Sequence, residues 1–308
     1  MYHYTLIQWL FFFYFYCFFG WVFESTYVSV KSRKFVNRGF MRGPFLPIYG
    51  SGAIMMLVVS MPFQDNLILT YLAGCVGATV LEFVTGTVME ALFKVRYWDY
   101  SNQKFNYKGH ICLGSTLAWG FLTIFMTEFL HRGVEKLVFS IPDLIITILT
   151  IALTIVILVD FTLSFKAALD LRDVLIGLDK AKAEMERIQK RLDVIVAVAS
   201  DELETRRQER KLERSIYMDE LMDDIEERFN SIKERIKVEP PEFLEDAREE
   251  LLELKAKFLV EKEHRIQFKK LKDFYQRSMI KGNPTMYSQR FEEALDDLKK
   301  AVEKYKKK

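Results

Sequence analysis

Residues 141–165 read IPDLIITILTIALTIVILVDFTLSF, and only two of these side chains, Asp143 and Asp160, are charged. Crossing the hydrocarbon core of a bilayer takes about 20 mostly apolar residues, so this stretch predicts a transmembrane helix. Four earlier segments meet the same condition and are also expected to be helices, because a span must satisfy its backbone groups internally. They cover about 4–30, 44–61, 67–93 and 111–130.

Charge divides the chain into two parts. Residues 1–165 contain 11 Lys and Arg and 9 Asp and Glu, whereas residues 166–308 contain 33 of each sign. This split excludes a single water-soluble globule, a secreted disulfide scaffold and a nucleic-acid binder that depends on bulk charge. It predicts an all-α fold, with a polytopic membrane bundle of about five transmembrane helices (1–165) and a charged cytoplasmic helical, coiled-coil-like domain (166–308).

Basic residues mark the loops that are expected to face the cytoplasm. The basic residues of the loops after the first and third spans are Lys31, Arg33, Lys34, Arg38 and Arg42, then Lys94, Arg96, Lys104 and Lys108. The short loop 62–66 has no Lys or Arg. Five spans then put the N-terminus outside and residues 166–308 in the cytoplasm, with the lipid bilayer as the first partner.

The tail has a helical apolar pattern with two breaks. Its first seam is Leu171, Leu175, Leu178, Ala181, Met185, Ile188, Leu192, Ile195 and Ala199, at coiled-coil-like spacing. Pro240-Pro241 and Gly282-Asn283-Pro284 are expected to end helices. A hinge near 200–211 and a long stalk are both compatible with this pattern. Intramolecular packing and a homo-oligomeric coiled coil also remain open, and the equal numbers of opposite charges give no reason to expect nucleic acid.

Carboxylates inside the predicted spans are the sharpest local signal. They are Glu24, Glu82, Glu90 and Asp160. A charge at the bilayer centre costs roughly 2.5–3.5 kcal/mol and usually faces a partner or water. One interpretation is a polar intramembrane site near the cytoplasmic side that binds a cation, a proton or a polar substrate. The other is that the acids pair with Arg38, Arg42 or Arg96 and hold the loops on the bundle.

A loop rich in glycine and proline precedes the second span. Its motif residues are Asn37, Arg38, Gly39, Gly43, Pro44, Pro47, Tyr49 and Gly50. Glycine permits a tight backbone and proline fixes φ, so a simple helix start is not expected here. The alternatives are a loop that dips into the membrane edge and an ordinary tight turn.

A polar aromatic block follows the third span. Its candidate residues are Trp98, Asp99, Tyr100 and His110. Trp and Tyr favour the headgroup region, which indicates interfacial anchoring. Asp99 and His110 add a possible ligand pair or proton relay.

Motifs of common catalytic sites are missing from the sequence. There is no G-x-x-x-x-G-K-[ST], no H-E-x-x-H and no G-x-S-x-G, and the three cysteines form no C-x-x-C. We therefore predict no enzyme, no metal site and no cofactor.

The sequence patterns N-R-G-x-x-x-G-P-x-x-P-I-Y-G, E-x-x-x-G (Glu82, Gly86) and W-D-Y follow one another over about residues 5–165. In this order they resemble the ABC-transporter type IV (CmpB-type) membrane family. The resemblance implies a bacterial inner-membrane, permease-like protein that is associated with transport, and it brings no catalytic residues. Its partner would be a separate ATPase subunit or another cytoplasmic protein. The alternative function is a membrane-anchored scaffold or sensor that recruits partners through its tail.

Overall fold

The structure is a computed structural model, and it describes residues 4–199, 222–223, 225–227, 229–230, 243–269 and 274–304. These residues form helices almost throughout, which confirms the all-α prediction. The helices up to residue 199 are α1 (Leu6–Ser32), α2 (Pro47–Ser60), α3 (Leu67–Phe93), α4 (Leu113–Phe125), α5 (His131–Phe139) and α6 (Asp143–Ala199). The later ones are α7 (Phe243–Lys269), α8 (Phe274–Gly282) and α9 (Glu292–Lys304).

Three shorter elements complete the membrane part. A 3₁₀ turn, Met61–Phe63, extends α2, and a π-helical segment, Met126–Leu130, joins α4 to α5. Strands β1 (Asn106–Tyr107) and β2 (Ile111–Cys112) form an antiparallel hairpin in the loop between α3 and α4.

Four helical stretches are long and apolar enough to cross a membrane. They are Leu6–Ser32, Leu67–Phe93, Leu113–Phe139 and Asp143–Val194. The span predicted over 44–61 is wrong in its extent, because the apolar helix found there, Pro47–Phe63, is shorter. This helix consists of the 14 residues of α2 and the 3 residues of the 3₁₀ turn, which together rise about 27 Å, against the roughly 30 Å of a bilayer core.

The loop before α2 explains why that helix is short. Val36 N donates to Ser29 Oγ at 2.9 Å, and Leu46 N donates to Cys17 O at 2.9 Å. Ser29 and Cys17 lie about 18 Å apart along α1, so the irregular backbone follows α1 over that distance before α2 begins at Pro47. The loop therefore dips along α1 and does not make an ordinary tight turn.

The two ends of the bundle differ in chemistry. At one end the loops after α1 and α3 meet, where Arg38 Nη2 donates to Tyr97 O at 3.5 Å. At the other end the Tyr4 hydroxyl hydrogen-bonds to His131 Nε2 (3.0 Å) and Glu135 Oε1 (2.5 Å). The two most basic loops of the membrane part thus share one end.

Helices α3 and α4 approach each other closely where a glycine faces a threonine. A Cβ placed on Gly74 would lie 2.2 Å from Thr123 Oγ1. Only a residue without a side chain fits there, as small residues at membrane helix contacts generally allow. This contact fixes how α4 presents its polar side chains to α3.

The chain forms two compact units, Met1–Arg172 with Lys272–Lys308, and Asp173–Leu271. The end of the tail thus packs with the membrane helices, which the sequence pattern did not predict. Helix α8 ends at Gly282 and a turn follows, at the position of the predicted break over 282–284.

Within the second unit the apolar seam packs against other helices of the same chain. Its buried cluster comprises Met185, Ile188, Leu192, Ile225, Phe229, Leu251 and Phe258. Arg191 pairs with Glu250, and Lys262 Nζ lies 2.6 Å from Glu226 Oε2. A coiled coil between copies stays a prediction. The predicted hinge near 200–211 and the break at Pro240-Pro241 lie outside the described residues.

Candidate functional site

Glu82 of α3 is buried, with 6% of its surface exposed. Three donors hold its carboxylate: the Tyr100 hydroxyl at 2.9 Å, Trp119 Nε1 at 3.0 Å and Ser115 Oγ at 3.3 Å. Two of them come from α4 and one from the loop after α3. These donors satisfy the hydrogen-bonding capacity of the carboxylate in a place that water does not reach.

Tyr100 links this site to a second carboxylate. Burial raises the pKa of Tyr100, and the charges of Glu82 and Glu24 raise it further. The phenol therefore stays protonated at neutral pH and acts as a donor. Glu24 itself accepts from the Tyr49 hydroxyl at 2.6 Å and from Arg38 Nε at 3.3 Å. Glu24 and Glu82 thus belong to one polar neighbourhood.

Glu90 lies farther along α3 in an ion pair. Its Oε1 is 2.8 Å from Arg96 Nε, and its Oε2 is 3.1 Å from Nε2 of the buried His110. Burial lowers the pKa of His110, and the charge of Arg96 lowers it further against the opposing effect of Glu90. The ring is therefore neutral at neutral pH, with its Nε2 facing the Glu90 carboxylate.

Asp160 in α6 has a different partner. Its Oδ2 accepts from the backbone N–H of Gly43 at 2.8 Å. A Cβ on Gly43 would lie 3.0 Å from the same oxygen, so a side chain there would crowd the contact. Asp160 therefore fastens the glycine-rich loop to α6.

The four predicted acids do not converge on one pocket. Each is held by its own donors. Arg38 pairs with Glu24, and Arg96 pairs with Glu90. The predicted pairing with Arg42 is not seen, because its guanidinium lies 4.0 Å from the ring centroid of Phe274. Among the described residues no group of His, Cys, Asp and Glu is arranged to hold a metal ion.

The loop rich in glycine and proline that leads into α2 (37–50), which we call the motif loop, is held by residues of its own sequence motif. Asn37 accepts from Trp21 Nε1 at 2.5 Å and donates to Arg42 O at 2.5 Å. Gly39 has φ 135°, a conformation that residues with side chains rarely adopt. The loop backbone is thus fixed by an amide bridge and a glycine.

The two prolines and the last glycine of the motif shape the start of α2. Pro44 lies in the irregular segment, and Pro47 is the first residue of the helix, where a missing N–H costs nothing. A Cβ on Gly50 would lie 2.4 Å from Cys17 Sγ. Glycine at 50 lets α2 pack directly on α1.

The aromatic block ties its loop to α3. Trp98 Nε1 donates to His110 O at 3.1 Å, and the Asp99 carboxylate accepts from Ser101 N at 3.0 Å and Ser101 Oγ at 2.6 Å. Asp99 also lies 3.5 Å from Arg96 Nη1. Trp98 and Asp99 thus order the loop that carries Tyr100 to Glu82.

The end of the tail docks on the motif loop. Asn283 is 2% exposed, accepts from Arg38 Nη1 at 2.9 Å and donates to Gly39 O at 2.8 Å. Arg96 and Tyr287 exchange two backbone hydrogen bonds, at 2.7 and 3.0 Å. We call residues 274–304, which make these contacts, the docked segment.

Sequence reasoning missed Ser115, Trp119 and Asn283 as site residues. Ser115 and Trp119 are four residues apart in an apolar helix, a spacing that marks one helical face bearing two donors. Asn283 was recognised only as part of a turn. No local signal in the sequence connects it to Arg38, which is 245 residues away.

These features define a multi-pass α-helical membrane protein with a loop dipping along its first helix and a buried, hydrogen-bonded carboxylate at Glu82. The family model described as "Putative ABC-transporter type IV" matches residues 11–165, and the chain belongs to this family. No curated protein matches the chain, and no solved structure does. The docked segment lies outside the matched residues.

Proposed function

We propose that the chain is a transport-associated subunit of the bacterial inner membrane with a polar site around Glu82 and Glu24 near the cytoplasmic side. The observation that supports this is the burial of Glu82 among three donors inside the bundle. Ionisable groups within spans commonly mark ion, proton or substrate pathways. Glu90 and Asp160 flank this site by holding the loops around it.

The proposed orientation has the N-terminus outside and the charged domain after residue 165 in the cytoplasm. The shared end of the two basic loops supports it, because Lys and Arg favour the cytoplasmic side. Cysteine scanning with a membrane-impermeant maleimide on whole cells tests it. Asp65→Cys should be labelled and Phe105→Cys should not, and the reverse pattern contradicts the orientation. The native Cys17, Cys75 and Cys112 are buried, which keeps the background low.

A separate ATPase is the proposed partner, because the chain has no P-loop. Phe35 and Phe105 project from the two basic loops, 79% and 81% exposed, and suit a partner that contacts this face. A photo-crosslinking amino acid at 35 or 105 in the full chain should capture a P-loop ATPase identified by mass spectrometry. The same photo-crosslinking amino acid in place of Asp65, in the loop after α2, should not capture the ATPase. Equal capture at 65, or no ATPase at 35 and 105, contradicts the partner.

Transport is tested by a matched pair of neutralising variants. Proteoliposomes with the captured ATPase are supplied with ATP and a panel of labelled ions, amino acids, sugars and phosphorylated solutes. Glu82→Gln should abolish uptake of the solute that wild type accumulates. Glu128→Gln should not, since Glu128 pairs with Arg132 outside the cluster around Glu82 and Glu24. Uptake that is the same in both variants for every solute argues against a path at Glu82.

A scaffold or sensor function is the second candidate, supported by exposed apolar side chains on α7. Leu252, Leu259 and Val260 are each more than half exposed in the second unit, and such surfaces often bind protein partners. Photo-crosslinking at Leu252 in the full chain should yield one reproducible partner or a homodimer. Leu259→Lys should then remove the adduct. Failure to crosslink argues against this candidate without bearing on Glu82.

A further inference from the structure

A cavity of about 790 Å³ that is open to solvent lies beside the hairpin of the loop between α3 and α4. It is lined by the end of α3, by the hairpin and by residues 289–290 of the docked segment, all within the first compact unit. Cavities of roughly 300–1,000 Å³ are the usual size for sites that bind small molecules. The volume exceeds that of a bare phosphate ion and suits a larger phosphate-bearing group.

Positive charge dominates the cavity. Its basic residues are Lys94, Arg96, Lys108 and Arg290, and its one carboxylate is Glu90. Glu90 is already paired with Arg96. Among the described residues, Lys94, Lys108 and Arg290 make no ion pair. Three like charges around one cavity repel each other, and an anion that binds there relieves the repulsion.

The backbones that carry these cations are held in place before any ligand arrives. Lys94 ends α3 in the left-handed conformation, with φ 60°, and its carbonyl accepts from Ser288 Oγ at 2.6 Å. Lys108 has φ 53° in the turn between β1 and β2. Arg290 follows Ser288 in the docked segment by two residues. Because the backbone is fixed, binding an anion orders only the side chains and not the loops that carry them.

The position of the cavity relative to the membrane limits the class of ligand that it can bind. Lys94 immediately follows α3, a candidate span that ends at Phe93, so we expect the cavity to lie at the level of the lipid headgroups. Lys and Arg are the side chains that bind phosphate best, and clusters of them at the membrane surface recognise anionic headgroups. We propose that this cavity binds the phosphate group of an anionic ligand, either a phosphoglyceride headgroup or a soluble phosphate monoester.

Titrations of the purified full chain in detergent test the proposal. The probes are dihexanoyl phosphatidylglycerol, sn-glycerol 3-phosphate and dihexanoylglycerol, which lacks phosphate, and binding is followed by native mass spectrometry. The phosphate-bearing probes should bind, and dihexanoylglycerol should not. Tighter binding of phosphatidylglycerol identifies a lipid headgroup as the source, and equal or tighter binding of glycerol 3-phosphate identifies a soluble phosphate. Both results support the site.

Charge-removing variants then locate the binding. A basic residue near an anionic surface contributes about 1 kcal/mol, so Lys94→Gln and Arg290→Gln should each weaken phosphate binding about fivefold. Lys104→Gln is the matched control, because Lys104 is exposed in the same loop and does not line the cavity. The proposal is overturned if neither phosphate probe binds, or if Lys104→Gln weakens binding as much as Lys94→Gln does.

Discussion

Replacing Asn283 with alanine tests whether the docked segment is held by the motif loop. The substitution removes the acceptor of the Arg38 Nη1 hydrogen bond (2.9 Å) and the donor to Gly39 O (2.8 Å). The bond from Asn283 Nδ2 to Met279 O lies within the docked segment, so its loss does not count toward docking. The change is therefore confined to two contacts between the segments.

The size of the effect follows from those two contacts. A neutral hydrogen bond contributes about 1 kcal/mol net, and one to a charged group about 1.5–3 kcal/mol. The two bonds together contribute about 3 kcal/mol to the free energy of docking. Asn283 is buried, so water does not take the place of the lost amide. The equilibrium between docked and released states should shift by about a hundredfold.

Hydrogen exchange of the full chain in detergent measures this shift. The amides of Arg96 and Tyr287 report docking, because each donates across the segment boundary. Their exchange in Asn283→Ala should be faster by up to about a hundredfold, the factor set by the change in opening free energy. The control is Asn102→Ala, at an exposed loop position. If Asn283→Ala leaves the protection of Arg96 and Tyr287 unchanged, the inferred role of Asn283 is refuted.

Three further predictions concern packing and pH. Gly74→Ala should lower the unfolding temperature in detergent through about 1–3 kcal/mol of overpacking against Thr123, whereas Gly52→Ala, with nothing within 4 Å, should not. Because the pKa of His110 is lowered in the fold, the unfolded chain binds more protons. Thermal melts should therefore lose stability as the pH falls through about 6.5, less so in His110→Gln; equal slopes would contradict this. Leu192→Ala, at a fully buried position, should cost the second unit about 2–5 kcal/mol and expose it to limited proteolysis, and unchanged cleavage would argue against the packing.

The apolar spans could be predicted because hydropathy over about 20 residues measures directly what the bilayer requires. The helix predicted over 44–61 was wrong in its extent for the same reason. Composition does not reveal that irregular backbone, and not helix, runs along α1 before α2 begins. That information lies in the contact of Leu46 with Cys17, 29 residues earlier in the chain. The glycines and prolines of the loop indicated an irregular start, but they did not give its length.

The candidate site was only partly predictable. Arg38 and Arg96 follow closely in sequence the helices that carry Glu24 and Glu90, so the positions of the loops alone suggested those ion pairs. The donors of Glu82 depend on the rotation of α4 against α3. That rotation is set by the packing of side chains across the two helices, which no local pattern encodes.

The docked segment requires glycine at 282 for a reason that involves the family motif. A Cβ on Gly282 would lie 2.4 Å from the carbonyl oxygen of Asn37, and backbone cannot move aside as a flexible side chain does. The same loop is fixed at its other end by the bond from Gly43 N to Asp160. The docked segment therefore contacts a loop that is held at both ends, and Arg38 bonds to Glu24 as well as to Asn283. Residues outside the family match thus share a hydrogen-bonded network with Arg38 and Glu24 inside it.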